Sequence, residues 1–165
     1  MRQRIALLLL VGALFASSAF AQKKKIYDPS LNGKKQLLEA VTKAQATGKN
    51  VFVQVGGNWC SWCIKFEKFV NFNNDLGEIL EKNYITVHLN YSKSNKNWDA
   101  LEQLGFPQRF GFPVFVILDK NGNRIHTQDS GYLEKDGGYD HDKVKRFLEN
   151  WTPKALSAES YKDKK

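Results

Sequence analysis

The sequence predicts an α/β protein in which a central mixed β-sheet carries helices on both faces. Short apolar runs rich in β-branched and aromatic residues alternate with longer stretches of helical periodicity, which is typical of strands that pair in parallel through helical crossovers. The last two predicted strands are joined by Asn121-Gly122, a dipeptide that favours a tight antiparallel hairpin. Both cysteines of the chain, Cys60 and Cys63, lie between a predicted strand and a predicted helix.

The first 21 residues have the pattern of a secretory signal peptide. Arg2 and Arg4 precede an apolar run over 5–15, and Ala-Phe-Ala at 19–21 is a small-x-small cleavage motif. A membrane anchor is the alternative, but the run is shorter than the ~20 residues that a span needs. No later segment of the sequence is apolar enough to cross a bilayer. We therefore expect an exported protein, periplasmic or secreted, with no membrane span after signal cleavage.

The remaining chain has the length of one ordinary domain. We predict an N-terminal arm over 22–30, one folded domain over 31–153 and a flexible Lys-rich tail over 154–165. The formal charge of +8 arises at the two ends, because the segment 26–153 has 16 basic and 15 acidic residues. Charge at solvated termini does not indicate a binding surface, so we expect no nucleic-acid partner.

The first half of the domain predicts helices and strands in alternation. The first helix covers 31–47 and ends at Gly48. Its predicted inner face consists of Leu37, Leu38, Val41 and Ala44. Residues 50–55 are nearly all apolar, which suits a strand that is buried on both faces. Helical periodicity covers 60–72 and continues over 75–82, with Asp75 as a possible N-cap.

Strict alternation between apolar and polar residues over 84–90 predicts the second strand, with His88 on the face opposite Ile85, Val87 and Leu89. A short helix follows over 97–104. Its predicted apolar side consists of Trp98, Leu101 and Leu104.

The second half begins with an irregular stretch over 107–113 and a strongly apolar strand over 114–118. The return strand over 124–128 is polar, as expected at a sheet edge. We predict a loop over 131–138 and a last helix over 139–151 that Pro153 ends. The inner face of this helix is predicted to consist of Val144, Phe147, Leu148 and Trp151. The remainder is low in apolar residues and predicts no ordered structure.

The spacing of the cysteines suits a redox centre. Cys60 would lie at a helix N-terminus, where backbone N–H groups and the helix dipole favour a thiolate, the nucleophile of disulfide exchange. Cys63 shares a helix face with Phe66 and Val70, so we expect it to be buried while Cys60 stays near solvent. Cys63 could then attack a mixed disulfide between Cys60 and a partner, and so release the partner. A purely structural bridge is the alternative, but a bridge across two residues constrains little unfolded chain.

Two tryptophans flank the cysteines and could form a dry rim for a partner peptide. Trp59 could also simply cover the turn, so Trp62 is the favoured partner contact. Lys65 either favours the thiolate or is solvated at the helix surface.

A zinc site would need four ligands. The two cysteines supply half of them, and the three histidines lie on separate predicted elements, so we predict no metal site.

Together these features resemble the thioredoxin superfamily over about 31–151. They are Trp-Cys-Ser-Trp-Cys at 59–63, Gly-Phe-Pro-Val at 111–114 before an apolar strand, the Asn-Gly hairpin and the closing helix. Within the superfamily the chain is most similar to exported thioredoxin-like domains of disulfide-interchange proteins, whose motif helix continues as Phe-Glu-Lys, as at 66–68. The resemblance implies a thioredoxin-like three-layer fold for 31–153.

The resemblance also implies roles for residues outside the motif. Pro113 would be a cis proline beside the cysteines, and Phe112 would offer backbone hydrogen bonds to an extended partner segment. A trans proline that opens a strand is the alternative. The family often has a buried Asp paired with a Lys near the second cysteine, and the matching residues here are Gln54 and His88. We hypothesise that His88, or water, assists deprotonation of Cys63. Otherwise His88 is a hydrogen-bonded strand residue.

These observations predict a thiol–disulfide oxidoreductase of the protein-disulfide reductase or isomerase type, with no cofactor beyond a redox-active Cys60–Cys63 disulfide. Its partners would be disulfide- or thiol-bearing proteins and a redox partner such as a membrane reductant conductor. Ser61 and Trp62 carry no charged or imidazole group that would stabilise a thiolate, so we expect a reductant. The alternatives are a thioredoxin-like binding or chaperone module without redox turnover and a metal-handling protein with a Cys pair.

Overall fold

A computed structural model describes residues 25–164 of the 165-residue chain. The predicted signal peptide and residues 22–24 of the predicted arm lie outside the described residues. The helices are α1 (Gly33–Thr47), α2 (Ser61–Phe72), α3 (Asn74–Asn83), α4 (Trp98–Gln103), α5 (His141–Asn150) and α6 (Pro153–Leu156). The strands are β1 (Asn50–Gly56), β2 (Tyr84–Asn90), β3 (Val114–Leu118), β4 (Arg124–Asp129), β5 (Glu134–Lys135) and β6 (Gly138–Tyr139). Short 3-10 helices cover Pro107–Phe110, Ser130–Leu133 and Ala158–Lys164.

The main sheet is mixed and has the strand order β2-β1-β3-β4. β1 and β2 are parallel, whereas β3 runs antiparallel to both β1 and β4. Every residue of the central strand β1 is buried, and the polar strand β4 lies at an edge. The predicted mixed sheet is confirmed. Its register places Gln54 on β1 between His88 on β2 and Phe115 on β3.

Alternate residues of β1 face two separate cores, as the period of a strand requires. Val51, Val53 and Val55 pack with residues of α1 and α4 on one face of the sheet. Phe52 packs on the other face with aromatic and aliphatic residues of α2, α3 and α5. The molecule therefore has the predicted three layers. Gln54 is a polar side chain on the same face of β1 as Phe52, and α2 covers this face.

Several predicted helix faces and caps differ in the structure. Leu38 is 68% exposed and Ala40 is buried on α1, because Leu38 is rotated by about 100° from the buried Leu37. Trp98 is 49% exposed, so the apolar side of α4 is narrower than predicted. Asp75 is not the N-cap of α3, since Asn73 occupies that position and Asp75 lies in the first turn.

The chain after β4 is more regular than predicted. The expected loop over 131–138 contains a 3-10 helix and the small antiparallel hairpin of β5 and β6. α5 begins at His141 because the Asp140 side chain accepts a hydrogen bond from Lys143 N (3.0 Å) and caps the helix. Pro153, which was predicted to end the last helix, opens the further helix α6, and the expected flexible tail continues in helical turns. No helix between residues 25 and 164 combines the length and apolarity of a membrane span.

A half-exposed carboxylate joins α3 to α5. Asp75 accepts hydrogen bonds from His141 Nε2 (3.1 Å) and from Lys145 Nζ (3.2 Å). The bond from His141 is the main cause of a lowered pKa at Asp75, and the bond to Asp75 is the main cause of a raised pKa at His141. Folding is therefore coupled to protonation at both groups.

We predict that His141→Gln destabilises the fold in a pH-dependent way. The contribution of His141 is fully present below its unfolded pKa and is lost as pH rises through its folded pKa. The contribution of Asp75 is present above its unfolded pKa and is lost as pH falls through its folded pKa. The difference in urea midpoint between wild type and variant should therefore be larger at about pH 5.5 than at about pH 9.

Lys145→Gln is the matched control for this measurement. It removes a contact to the same carboxylate, but lysine keeps its charge at both pH values. Its effect on the urea midpoint should therefore change little between them. An equal effect of His141→Gln at both pH values would contradict the coupling.

Candidate active site

The cysteine pair lies at the junction between the end of β1 and the first turn of α2. Cys60 and Cys63 form a disulfide with a Cα–Cα distance of 5.3 Å. Cys60 is the N-cap residue of α2, and its Sγ accepts a hydrogen bond from the backbone N–H of Cys63 (3.1 Å). After reduction, the same N–H and the helix dipole would stabilise a thiolate at Cys60.

Both cysteines are buried, which the sequence predicted only for Cys63. Cys63 is fully buried on the face of α2 that it shares with Phe66 and Val70. Cys60 was expected near solvent, yet the residue is only 5% exposed. The reason is tertiary, because distant segments bring further side chains against the pair. These are Tyr27, Ile26 and Phe112, and Trp62 of the motif itself also packs there.

An aromatic rim borders the cysteines on one side. Trp59 is 59% exposed, and its Nε1 donates a hydrogen bond to the carbonyl of Tyr91 (2.7 Å). The Trp59 ring meets Phe112 edge-on at 5.3 Å, and Phe112 stacks on Tyr91 at 4.8 Å. Trp59 is therefore held in position while most of its surface stays accessible.

Trp62 is less exposed than Trp59, although the sequence favoured it as the partner contact. Its ring packs edge-on against Tyr139 at 5.4 Å, and its carbonyl accepts a hydrogen bond from the Tyr139 hydroxyl (3.3 Å). Lys65 Nζ lies 4.1 Å from the centre of the Trp62 ring and donates to the carbonyl of Gly137 (2.6 Å). The side chains of Trp62 and Lys65 thus both contact the β5–β6 hairpin.

The loop before β3 completes this side of the site. The peptide bond between Phe112 and Pro113 is cis, and Pro113 is buried. Phe112 is half-buried and packs against the cluster that contains Cys60 and Cys63. The fold thus brings Phe112 to the cysteines from about fifty residues further along the chain.

Tyr27 is a site residue that the sequence did not reveal, because it lies in the segment predicted as an arm. It is fully buried and belongs to the cluster of the two cysteines. Asn58 holds it there, with Oδ1 accepting from the backbone N–H groups of Ile26 (3.1 Å) and Tyr27 (3.2 Å) and Nδ2 donating to the Tyr27 carbonyl (2.6 Å). The available signal was Ile26-Tyr27, an apolar pair within a polar stretch.

Gln54 and His88 both contact Tyr27. The Gln54 side chain is buried, and its Nε2 donates to the Tyr27 hydroxyl oxygen (2.6 Å) and to the carbonyl of Cys63 (3.2 Å). The His88 ring meets Tyr27 edge-on at 5.7 Å, and its Nε2 lies 3.0 Å from Glu67 Oε2. Both hypothesised relay positions therefore contact the Tyr27 side chain.

The electrostatic surroundings of the buried pair are largely neutral. Burial raises the pKa of the Tyr27 phenol, so this group stays protonated at physiological pH. Glu67 Oε2 and His88 Nε2 lie 3.0 Å apart, and both side chains are partly solvent-exposed. Among residues 25–164, no group of three or more His, Cys, Asp or Glu side chains is placed to hold a metal ion.

Known proteins resemble this chain in sequence and in fold. Residues 33–120 match the family model described as thioredoxin-like. The thiol:disulfide interchange protein DsbD of Colwellia psychrerythraea (strain 34H / ATCC BAA-681) is 26% identical over 101 residues, which are 60% of this chain and 16% of that protein. This chain thus spans about a sixth of the length of that relative.

A solved structure has the same fold. The crystal structure of a disulphide isomerase from Xylella fastidiosa Temecula1 matches with a TM-score of 0.67 and 21% sequence identity, covering 76% of this chain and 95% of that one. At this identity the match supports the fold.

We predict that Gly56→Ala destabilises the oxidised protein by about 1–3 kcal/mol, the usual cost of overpacking. A methyl group on Gly56 would collide with Cys63 Sγ and lie 2.8 Å from the Tyr27 hydroxyl oxygen. Urea unfolding of the oxidised protein measures the effect. Gly77→Ala in α3 is the control, since its methyl would meet only a carbonyl at 3.7 Å and alanine favours a helix. Equal stability of Gly56→Ala and wild type would contradict the close approach.

Proposed function

This chain belongs to the thioredoxin-like family, and from this premise we propose that it exchanges disulfides with partner proteins through Cys60 and Cys63. The observation that carries the proposal is the Cys60–Cys63 disulfide at the first turn of α2, with Cys60 Sγ accepting the Cys63 backbone N–H (3.1 Å). The similarity to a protein named for thiol:disulfide interchange supports the class of reaction.

The proposed reaction needs only sulfur chemistry. In the reduced chain the Cys60 thiolate attacks one sulfur of a partner disulfide, and the other partner sulfur leaves as a thiolate that takes a proton. Cys63 then loses its proton, and its thiolate attacks the Cys60 sulfur of the mixed disulfide. The second partner sulfur leaves, and the Cys60–Cys63 disulfide forms. Two electrons pass to the partner, and an external dithiol must return them to the chain.

We propose the aromatic rim and the cis-proline loop as the partner-binding surface. The exposed Trp59 face lies next to Phe112, and a partner segment that reaches Cys60 would pass over these two rings. Extended backbone of the partner would then run beside Phe112 and Pro113, where the chain enters β3. Trp62 would border this surface on the side of the β5–β6 hairpin. The proposed clients are disulfide- or thiol-bearing proteins.

We also propose that the protein is a reductant. An oxidant has its reduced form stabilised by groups that favour the thiolate. Here Cys60 is only 5% exposed among aromatic neighbours, and burial in apolar surroundings disfavours a thiolate. The residues between the cysteines, Ser61 and Trp62, add no positive charge. Both features favour the disulfide form of the chain and hence electron donation to partners.

The proposed compartment is outside the cytoplasm. The signal pattern in the first 21 residues supports export, and an oxidising compartment provides disulfides as substrates. A membrane reductant conductor is the proposed source of electrons, since a reductant in such a compartment must be recharged across the membrane.

Replacement of the two cysteines should separate attack from resolution. Cys60→Ser should abolish dithiothreitol-driven reduction of insulin, because the attacking sulfur is lost. Cys63→Ser should retain attack and accumulate a mixed disulfide with the client, visible as an adduct on a non-reducing gel. Ser61→Ala is the control and should keep turnover within a few-fold of wild type. Insulin reduction that persists in Cys60→Ser would contradict the proposal and favour a binding module.

The reduction potential tests the direction of electron flow. We expect a midpoint more negative than about −200 mV, in the range of reducing family members, whereas strong oxidants lie near −120 mV. Equilibration with glutathione and dithiothreitol couples gives the value. Trp59 and Trp62 border the disulfide, so their fluorescence reports the redox state. A midpoint near that of the strong oxidants would refute the reductant role while leaving disulfide exchange intact.

A further inference from the structure

The Tyr27 hydroxyl accepts one hydrogen bond and keeps its own proton for a second one. Gln54 Nε2 donates to the Tyr27 oxygen (2.6 Å), so the oxygen is the acceptor in that bond. A phenol is both donor and acceptor, so the hydroxyl proton is available to a different acceptor. Gln54 Nε2 also donates to the Cys63 carbonyl (3.2 Å), so the same amide contacts both Tyr27 and Cys63.

Cys63 Sγ and this hydroxyl approach the same point above Gly56. A methyl group built on Gly56 would collide with Cys63 Sγ and lie 2.8 Å from the Tyr27 oxygen, so both atoms border the space that this glycine leaves open. Tyr27 and both cysteines also form one buried cluster. In the disulfide, sulfur is a weak acceptor, but a thiolate at the same position accepts strong, charge-assisted hydrogen bonds.

We propose that the Tyr27 hydroxyl donates a hydrogen bond to the Cys63 thiolate that forms when a mixed disulfide is resolved, and that Gln54 positions this hydroxyl. The inference rests on the proposed function and deepens it. Tyr27 thereby favours ionisation of a buried thiol that its apolar surroundings would otherwise keep protonated.

The phenol donates a hydrogen bond and does not transfer its proton. The Cys63 proton leaves to water or to the departing partner sulfur, and the resulting thiolate attacks the Cys60 sulfur. As the new S–S bond forms, the negative charge moves to the partner sulfur, and the bond from Tyr27 weakens. Because burial raises the pKa of the phenol, Tyr27 remains a neutral donor throughout.

Other titratable groups face this region from three elements. Glu67 on α2 pairs with His88 on β2 at 3.0 Å. Tyr139 on β6 donates its hydroxyl to the Trp62 carbonyl (3.3 Å), and Cys60 itself titrates once reduced. Besides burial, the Glu67 carboxylate contributes to the raised pKa of the Tyr27 phenol and so helps to keep this donor protonated.

Asn58 fixes the donor to the motif. Its side chain makes three hydrogen bonds to the backbone of Ile26 and Tyr27, and it lies two residues before Cys60. The Asn58 side chain therefore joins the N-terminal segment to the cysteine loop, because its amide accepts from two backbone N–H groups and donates to one carbonyl.

Tyr27→Phe is the decisive variant, because it keeps the ring and removes one oxygen. In the reduced protein labelled with ¹³Cβ-cysteine, NMR titration should give a Cys63 pKa about one unit or more above wild type, as expected on loss of a hydrogen bond to a charged group. The pH profile of mixed-disulfide resolution should shift upward by the same amount. Tyr84→Phe is the control. It removes another buried hydroxyl, which bonds to the Leu148 carbonyl, and should leave the Cys63 pKa unchanged.

A second measurement needs no variant. On reduction above the Cys63 pKa, the ¹³Cζ resonance of Tyr27 should shift in the wild-type chain, and that of Tyr84 should not. An unchanged Cys63 pKa in Tyr27→Phe, or a pKa that moves in His88→Ala but not in Tyr27→Phe, would overturn the inference. Neither NMR readout depends on turnover. If the wild-type protein failed to reduce insulin, the proposed function would be refuted, whatever the two NMR measurements show.

Discussion

The close approach of Cys63 to the backbone of β1 is the contact on which the site depends. It is possible because Gly56 has no side chain, which lets α2 pack low over the end of the central strand. The same gap admits the Tyr27 hydroxyl beneath the helix. Packing at Gly56 thus determines at once how deeply the second sulfur is buried and which polar group meets it. The position of Cys60 follows, since it caps the same helix.

Three distant segments converge on that contact, and each is held by a different kind of interaction. The cysteine loop continues from β1, whose buried residues fix it to the sheet. The segment at 26–27 is held by the Asn58 amide through backbone hydrogen bonds. The loop at 112–113 is held by aromatic contacts of Phe112 with Trp59 and Tyr91. Polar and apolar contacts therefore fix the two sides of the site independently.

The sequence predicted the parts of this arrangement that depend on local pattern. Strand β1, the hairpin after β3 and the burial of Cys63 all follow from periodicity or turn chemistry. The burial of Cys60 and the place of Tyr27 do not, because they depend on contacts between segments far apart in the chain. The β5–β6 hairpin was also missed, since two-residue strands have too few residues for a periodic signal. The start of α5 at His141, and not at the predicted residue 139, follows from the Asp140 cap, which only the hydrogen bond from Lys143 N reveals.

Gln54 and Tyr27, the two uncharged polar side chains near Cys63, give the buried sulfur different surroundings from those that a carboxylate would give. A carboxylate at position 54 would be buried among Phe52, Phe115 and the cysteines, where an unpaired charge is costly and would repel a thiolate. The amide of Gln54 instead places two donors there and uses them on the Tyr27 oxygen and the Cys63 carbonyl. Its state does not change with pH. Protonation of the buried sulfur is then governed by hydrogen bonding and burial, while Glu67 and His88 lie on the partly exposed side of Tyr27.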